Sequence, residues 1–466
     1  MPKLDDLDLK NPCKIINIGQ LDDVSAEDFL LSNGGVQNLR NYEQIASYNW
    51  LGTPIEPQLV IPGAPKTLSD WRALRGRRLQ RDSTGLIVDE NHLMNGQFPM
   101  EALFRCVKLQ MKDEADVYVS ENPLTENFRF QNFDVVTDRN NLRKLFDFVK
   151  QNFSKLNKMT DGNPEPNGTK ISLPFRNVVS VSFRSVPPKW QQQRSRSIRI
   201  NVQVLGNLVC LIRCEEADIE SGRNSITYGK DFEIQVTKSV NDFSSGSFRQ
   251  IVAYSLGGLN FLVRFEVDAA DYAESRPVAV RKVDKKGTSD DDEEQQALDV
   301  LLGKMSLKTE KPMKIPSSRL SVLRSGEKYD YHLVEVTSRR SNADFPKHVW
   351  PQMYFSGTES LIIGWQFYGK IGKIERLSIK IDAMQVRTSQ KDVEEEYGGY
   401  PIKHMAQFHS LLTQIVEFAR QKCIHPKKLL AVVWKREFES NLHIYEVENP
   451  EGFAVPESLG DYIAEN

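Results

Sequence analysis

The sequence has no apolar run approaching the ~18 residues that would cross a bilayer. Its first residues, MPKLDDLDLKNP, hold no apolar core of the kind an export signal needs. A nuclear or cytoplasmic address is expected, and secretion is not. Cysteine is scarce, with five residues at positions 13, 106, 210, 214 and 423, which fits a reducing compartment. Cys210 and Cys214 stand four apart within an apolar stretch, and none of the seven histidines is close in sequence. Reduced core thiols are therefore expected there rather than a zinc site. An excess of charge of one sign is missing too. The 61 Lys and Arg against 63 Asp and Glu leave a net charge of −2, so no global field draws the chain toward nucleic acid.

What is present is local. Arg72, Arg75, Arg77, Arg78 and Arg81 form one basic stretch. Lys189, Arg194, Arg196 and Arg199 form another, beside Trp190. Such stretches can neutralise phosphates, although a solvated charged face is the commoner meaning of each. Trp190, Trp350, Trp365 and Trp434 lie in or near apolar segments and are expected to serve the core.

The hydrophobic fraction, 39%, and the charged fraction, 27%, are those of a soluble globular protein. Residues 1–90, rich in Asn, Pro and Gly, read as an extended lead-in packed on a core downstream. Residues 133–137 read as a strand followed by a helix, and 199–204 with 208–212 as a hairpin. Residues 225–237 suggest a helix. Runs 251–256 and 259–267 flank Gly257-Gly258, a strong hairpin signal. Residues 276–320 are too polar to bury a core and read as a disordered insertion. Strands are expected again at 332–336, 361–367, 376–381, 430–434 and 443–447, and helices near Trp350 and over 402–420. Residues 451–466 read as a tail. The fold class is α/β (α+β): a single large domain with mixed, largely antiparallel sheets flanked by helices, its core spanning 91–275 and 321–450.

Carboxylates carry the chemistry. Glu266 and Asp268 end an apolar strand two residues apart, and because strand side chains alternate faces both are expected to point the same way. Two acids there are costly unless cations or hydrogen bonds compensate them. Glu335 repeats the situation on another strand, and Glu233 follows Gly229 by four residues in the expected helix. Together Glu233, Glu266, Asp268 and Glu335 could bind one or two hard divalent cations through oxygen, a device used to cleave phosphodiesters. The acidic run Asp290-Asp-Asp-Glu-Glu294 is of the type that holds Mg-diphosphate in isoprenyl diphosphate synthases. That chemistry needs packed helices, whereas this run lies in a polar insertion of a strand-rich chain.

The order of these segments resembles the decapping exoribonuclease (DXO) family, itself related to PD-(D/E)XK nucleases. Val136-Thr-Asp-Arg139 looks like the family's first motif, with Asn140 in place of the usual glycine. Gly229 to Glu233 is similar in spacing to its Gly-hydrophobic-x-x-Glu motif, with Lys230 at the hydrophobic position. Glu266-Val-Asp268 is similar to its Glu-hydrophobic-Asp motif. Glu335-Val-Thr337 stands where the family has Glu-hydrophobic-Lys, and Trp350-Pro-Gln352 resembles its last active-site segment. The resemblance implies a PD-(D/E)XK-like core and removal of incomplete or unusual caps from RNA 5′ ends, with 5′-3′ exoribonuclease activity. It also implies Mg or Mn as cofactor and, in some members, a larger 5′-3′ exoribonuclease as partner. By the same resemblance Glu266, Asp268 and Glu335 would be catalytic, with Glu233 among the metal ligands, and Arg139 and Gln352 would contact the substrate. Thr337 lacks the family's ammonium, so the alternative is a weakened pseudo-nuclease that binds an RNA end or a partner exonuclease.

Overall fold

The computed structural model describes residues 4–17, 21, 29, 31, 39–82, 86–114, 122–160, 197–215, 217–220, 227–272, 312–315, 318–325, 329–341, 349–378, 400–423, 425, 427–435, 440–448, 450 and 452–466. The insertion expected at 276–320 with its acidic run, and the stretch Lys189 to Arg196 with Trp190, lie wholly or mostly outside them.

Gly257 and Gly258 turn the chain between two apolar runs, and the strands Phe248–Leu256 and Leu259–Glu266 close on them as an antiparallel hairpin. Both glycines have positive φ, 59° and 83°, which a two-residue hairpin turn favours. A Cβ at Gly257 would also sit 2.3 Å from the His409 ring. The other expected hairpin forms between Ser197–Leu205 and Leu208–Cys214, with Cys210 buried in it.

Among the described residues the larger sheet has twelve strands. Its centre runs Leu430–Lys435, Ser197–Leu205, Leu208–Cys214, Val135–Asp138, Leu259–Glu266, Phe248–Leu256, Arg40–Gly52 and Pro57–Ile61. Val135–Asp138 is parallel to both its neighbours, and most other pairings are antiparallel. Arg40–Gly52 therefore lies inside the sheet. One face packs on the helices Arg139–Thr160, Val349–Ser356 and Tyr400–Lys422 through Phe146, Trp350, Phe355 and Phe408. The other packs on Glu101–Glu114 through Leu103, Phe104 and Val107, and on Glu457–Glu465 through Leu459 and Ile463. The fold is mixed α/β, as the alternation of strand and helix patterns implies.

A smaller sheet orders Thr237–Lys238, Thr67–Leu68, Ala269–Asp271, His332–Arg340, Ser360–Phe367 and Lys370–Ser378. The helix Gly229–Val236 packs on it by burying Phe232 and Val236 against Val334, Val336 and Ile362. Gly364 allows that approach, because a Cβ there would sit 2.4 Å from the Phe232 ring. Gly364→Ala should therefore cost about 1–3 kcal/mol by overpacking, seen as a lower urea midpoint. An unchanged midpoint would mean that the helix docks by other contacts.

Candidate active site

The acidic segments meet where the chain crosses from one sheet to the other. Leu259–Glu266 ends in the large sheet, Ala269–Asp271 begins in the small one, and only Val267 and Asp268 lie between. The expected face-sharing of Glu266 and Asp268 along one strand does not hold, since the strand stops at Glu266. Both nevertheless line a single cavity of 240 Å³. Val135–Asp138 runs beside this strand with Asp138 opposite Arg264, then turns at once into the helix headed by Arg139. His332–Arg340 pairs with Ala269–Asp271, which brings Glu335 next to the crossing. The Val336 N–H donates to Asp268 Oδ2 at 2.9 Å.

Each acid has a distinct setting. Glu335 is buried and accepts from Arg139 Nη1 at 3.4 Å and from the Gln352 amide. Arg139 also lies over the Phe265 ring, 5.3 Å from its centroid. Glu233 is bracketed by Lys230 Nζ, 3.1 Å from each carboxylate oxygen, and by Lys66 Nζ at 3.7 Å. Glu266, with its side chain 49% exposed, pairs with Arg249 Nη1 at 2.7 Å, the residue directly opposite on the neighbouring strand. Desolvation opposes the Glu266 charge, yet Arg249 outweighs it and holds the carboxyl down at about 2. Among the described residues Asp268 has no such cation. Burial, then the negative charges of Glu335, Glu233 and Glu266, push its carboxyl well above the ordinary aspartate value, against the one Val336 hydrogen bond.

This donor set suits a hard divalent cation, being all carboxylate oxygen with a central acid repelled by three others. A cation there would relieve the repulsion recorded at Asp268. As they stand, no three His, Cys, Asp or Glu side chains among the described residues form a group placed to hold a metal ion, because Glu233, Glu266 and Glu335 are each turned onto a nitrogen of the protein. At Gly229, which opens the Glu233 helix, a Cβ would meet nothing within 4 Å.

Arg139, Arg143, Arg213, Arg249 and Arg264 line the same cavity, with Gln352 at its side. Guanidinium groups against a carboxylate cluster suit a phosphate bound beside a cation. Sequence reasoning placed Arg139 and Gln352 here but missed the other arginines. Arg143 was detectable, one helical turn after Arg139. Arg249 and Arg264 were not, because each stands in a strand at a position that reads as core.

Thr337 is half-buried on the Glu335 strand, two residues along and so on the same face. The strand continues through Arg340, which puts Arg339 on that face as well.

No curated protein matches the sequence. Among solved structures, the chain is similar to Scheffersomyces stipitis Rai1 in complex with (3′-NADP)+ and calcium ion, at 13% identity and TM-score 0.48, over 92% of this chain and 97% of that one. It is similar to Candida albicans Rai1 in complex with pU5-Mn2+, at 10% identity and TM-score 0.43, over 92% and 95%. It is also similar to K. lactis Dxo1 in complex with manganese, at 10% identity and TM-score 0.40, over 90% and 92%. A family described as Domain of unknown function (DUF8563) matches residues 27–157 and 178–463. With nearly the whole sequence inside that match, the chain belongs to the DUF8563 family.

Proposed function

We propose that this chain is a divalent-cation-dependent hydrolase of RNA 5′ ends, removing caps and degrading the 5′-phosphorylated strand. The observation that supports it is Asp268, which feels the charges of Glu335, Glu233 and Glu266 and with Glu266 lines an arginine-rich cavity. Those four carboxylates would hold Mg or Mn, which when bound activates water and stabilises the leaving oxygen. Arg139 and Gln352 now hold Glu335. In the substrate complex they hold phosphate or nucleotide and keep Glu335 oriented. The motif resemblance assigns the same residues to the same roles.

The test is Mn2+ binding by calorimetry, followed by cleavage of 5′-monophosphate RNA with Mn2+. Binding with cleavage supports the reading; no Mn2+ binding overturns it. A second reading, an RNA-end binder without hydrolysis, is favoured by Thr337, whose side chain carries no charge on the Glu335 face. Binding of Mn2+ and RNA without cleavage would select it. Under the first reading, Thr337→Lys restores a cation beside the acids and is expected to raise the cleavage rate by roughly tenfold or more. A single-turnover rate that does not rise would show that the cation is dispensable here.

A further inference from the structure

Residues 71–82 form a strap across the edge of the small sheet. Trp71, Leu74 and Leu79 are buried in the core that also holds Phe232 and Ile371. Backbone bonds fix the strap to the edge strand: Gly76 N–H to Ile371 O at 2.8 Å, Ile371 N–H to Arg77 O at 2.9 Å, and Leu79 N–H to Gly369 O at 2.8 Å. The far end joins the helix that carries Glu233. Gln80 N–H donates to Asp231 at 2.7 Å, and Asp82 accepts from Thr227 at 2.7 Å and from Asp231 N–H at 3.3 Å.

Outward from this strap stand Arg72, Arg75, Arg77, Arg78 and Arg81, all exposed. Among the described residues no carboxylate pairs with any of them. Elsewhere the chain does pair its arginines, as at Arg139, Arg213, Arg249, Arg264, Arg376 and Arg420. Next to the strap, at the turn before Gly369, Phe367 and Tyr368 are 57% and 64% exposed, their ring centroids 4.6 Å apart. The Arg72 guanidinium also lies over Trp71, 4.4 Å from its ring centroid. Unpaired guanidinium groups beside exposed aromatic faces are what a single-stranded nucleic acid needs: charge for its phosphates and flat surfaces for its bases.

We propose that the strap and the Phe367-Tyr368 turn form a track for the body of a single-stranded RNA whose 5′ end lies at the acidic site. This rests on the reading of that site as an RNA-end hydrolase. The large apolar residues of the strap, Trp71, Leu74 and Leu79, are buried, and its outer face is five guanidinium groups in a row, which match the regularly spaced phosphates of a polyanion. The readout of such a track is independent of sequence and sensitive to salt.

The experiment compares binding of two 5′-phosphorylated oligouridylates with phosphorothioate linkages, one long and one a dinucleotide, in the presence of Mn2+. The strap variant combines Arg75→Gln, Arg77→Gln, Arg78→Gln and Arg81→Gln and leaves Leu74 and Leu79 in place. Its affinity for the long strand should fall by roughly 10–100-fold near physiological salt, with the log–log salt slope shallower by about 0.7 for each phosphate left without its guanidinium. A Phe367→Ser variant should weaken the long strand by roughly tenfold with the slope unchanged. Dinucleotide and Mn2+ binding should be untouched in both. If the strap variant binds the long strand as tightly and with the same slope, while the dinucleotide still binds, the track is wrong and the site reading stands. If poly-glutamate competes as well as RNA for the strap, it serves an acidic protein and the proposal falls. If the unaltered protein binds neither dinucleotide nor Mn2+, the reading of the site itself fails.

Discussion

Asp268→Asn is expected to abolish Mn2+-dependent cleavage and, at the same time, to make the metal-free protein more stable. The first effect follows from its place among the acids. Loss of an outer-shell partner of a metal ligand costs ~10–100-fold, and losing the central ligand should exceed that, giving a fall of at least about 1,000-fold in rate. The second effect follows from charge. Burial and the three neighbouring carboxylates hold the Asp268 carboxyl well above its ordinary value, so its ionised form is less favourable folded than unfolded. Above that raised value the charge weighs against the fold. As pH falls through it, the folded state takes up the proton first and stability rises, an increase the variant should lack. The Asn side-chain oxygen can still accept the Val336 N–H. Urea titrations without metal, run at neutral and mildly acidic pH, would measure this. A variant that is less stable, or one that cleaves normally, removes Asp268 from the centre of the site.

Arg264→Met is expected to lower folding stability by about 3–5 kcal/mol, the cost of leaving a buried charge without its partner. Arg264 is 0% exposed. Its Nε and Nη2 donate to Asp138 at 2.7 and 2.9 Å, and its Nη1 donates to Pro99 O at 3.1 Å and Tyr48 Oη at 3.3 Å. Burial alone would push the guanidinium down and the Asp138 carboxyl up; the pairing outweighs both. Asp138 immediately precedes Arg139, so the bidentate pair also fixes the strand end that delivers Arg139 to Glu335. Chemical denaturation of the single variant and of Arg264→Met combined with Asp138→Asn would test this. The double variant should recover much of the loss, since no unpaired carboxylate remains. Equal losses in both would mean that the hydrogen bonds to Pro99 and Tyr48, rather than the ion pair, carry the effect.

Both hairpins were legible because glycine-bearing turns separate runs that are apolar or alternate apolar with polar residues. The long helix Tyr400–Lys422 was legible from spacing alone, and the helix Gly229–Val236 falls within the 225–237 expected to be helical. Arg40–Gly52 was not. Its first residues, Arg40 to Gln44, are mostly polar, and the pairing with Phe248–Leu256 shifts register twice, between Ile251 and Val252 and between Ala253 and Ser255. A broken register erases the two-residue period that marks a strand. The closing helix Glu457–Glu465 hides for another reason: it interrupts a short stretch with Gly460 and buries chiefly Leu459 and Ile463. At the candidate site, the acidic segments could be picked out along the chain, but the cations that pair with their carboxylates could not. Arg249 meets Glu266 only through strand register, and Arg139 meets Glu335 across nearly two hundred positions. Local patterns carry no record of such pairings.

The early strand Arg40–Gly52 also sets a condition on biosynthesis. Pro57–Ile61 pairs at once with its last residues, Asn49 to Gly52, but the other edge waits for Phe248–Leu256. At ordinary ribosomal speed that interval is roughly 10–40 s. Throughout it, the long strand presents an open row of amides and carbonyls to anything that can extend it. Slowed translation of the intervening stretch should therefore show up as aggregation, and a chaperone that shields the open edge should suppress it.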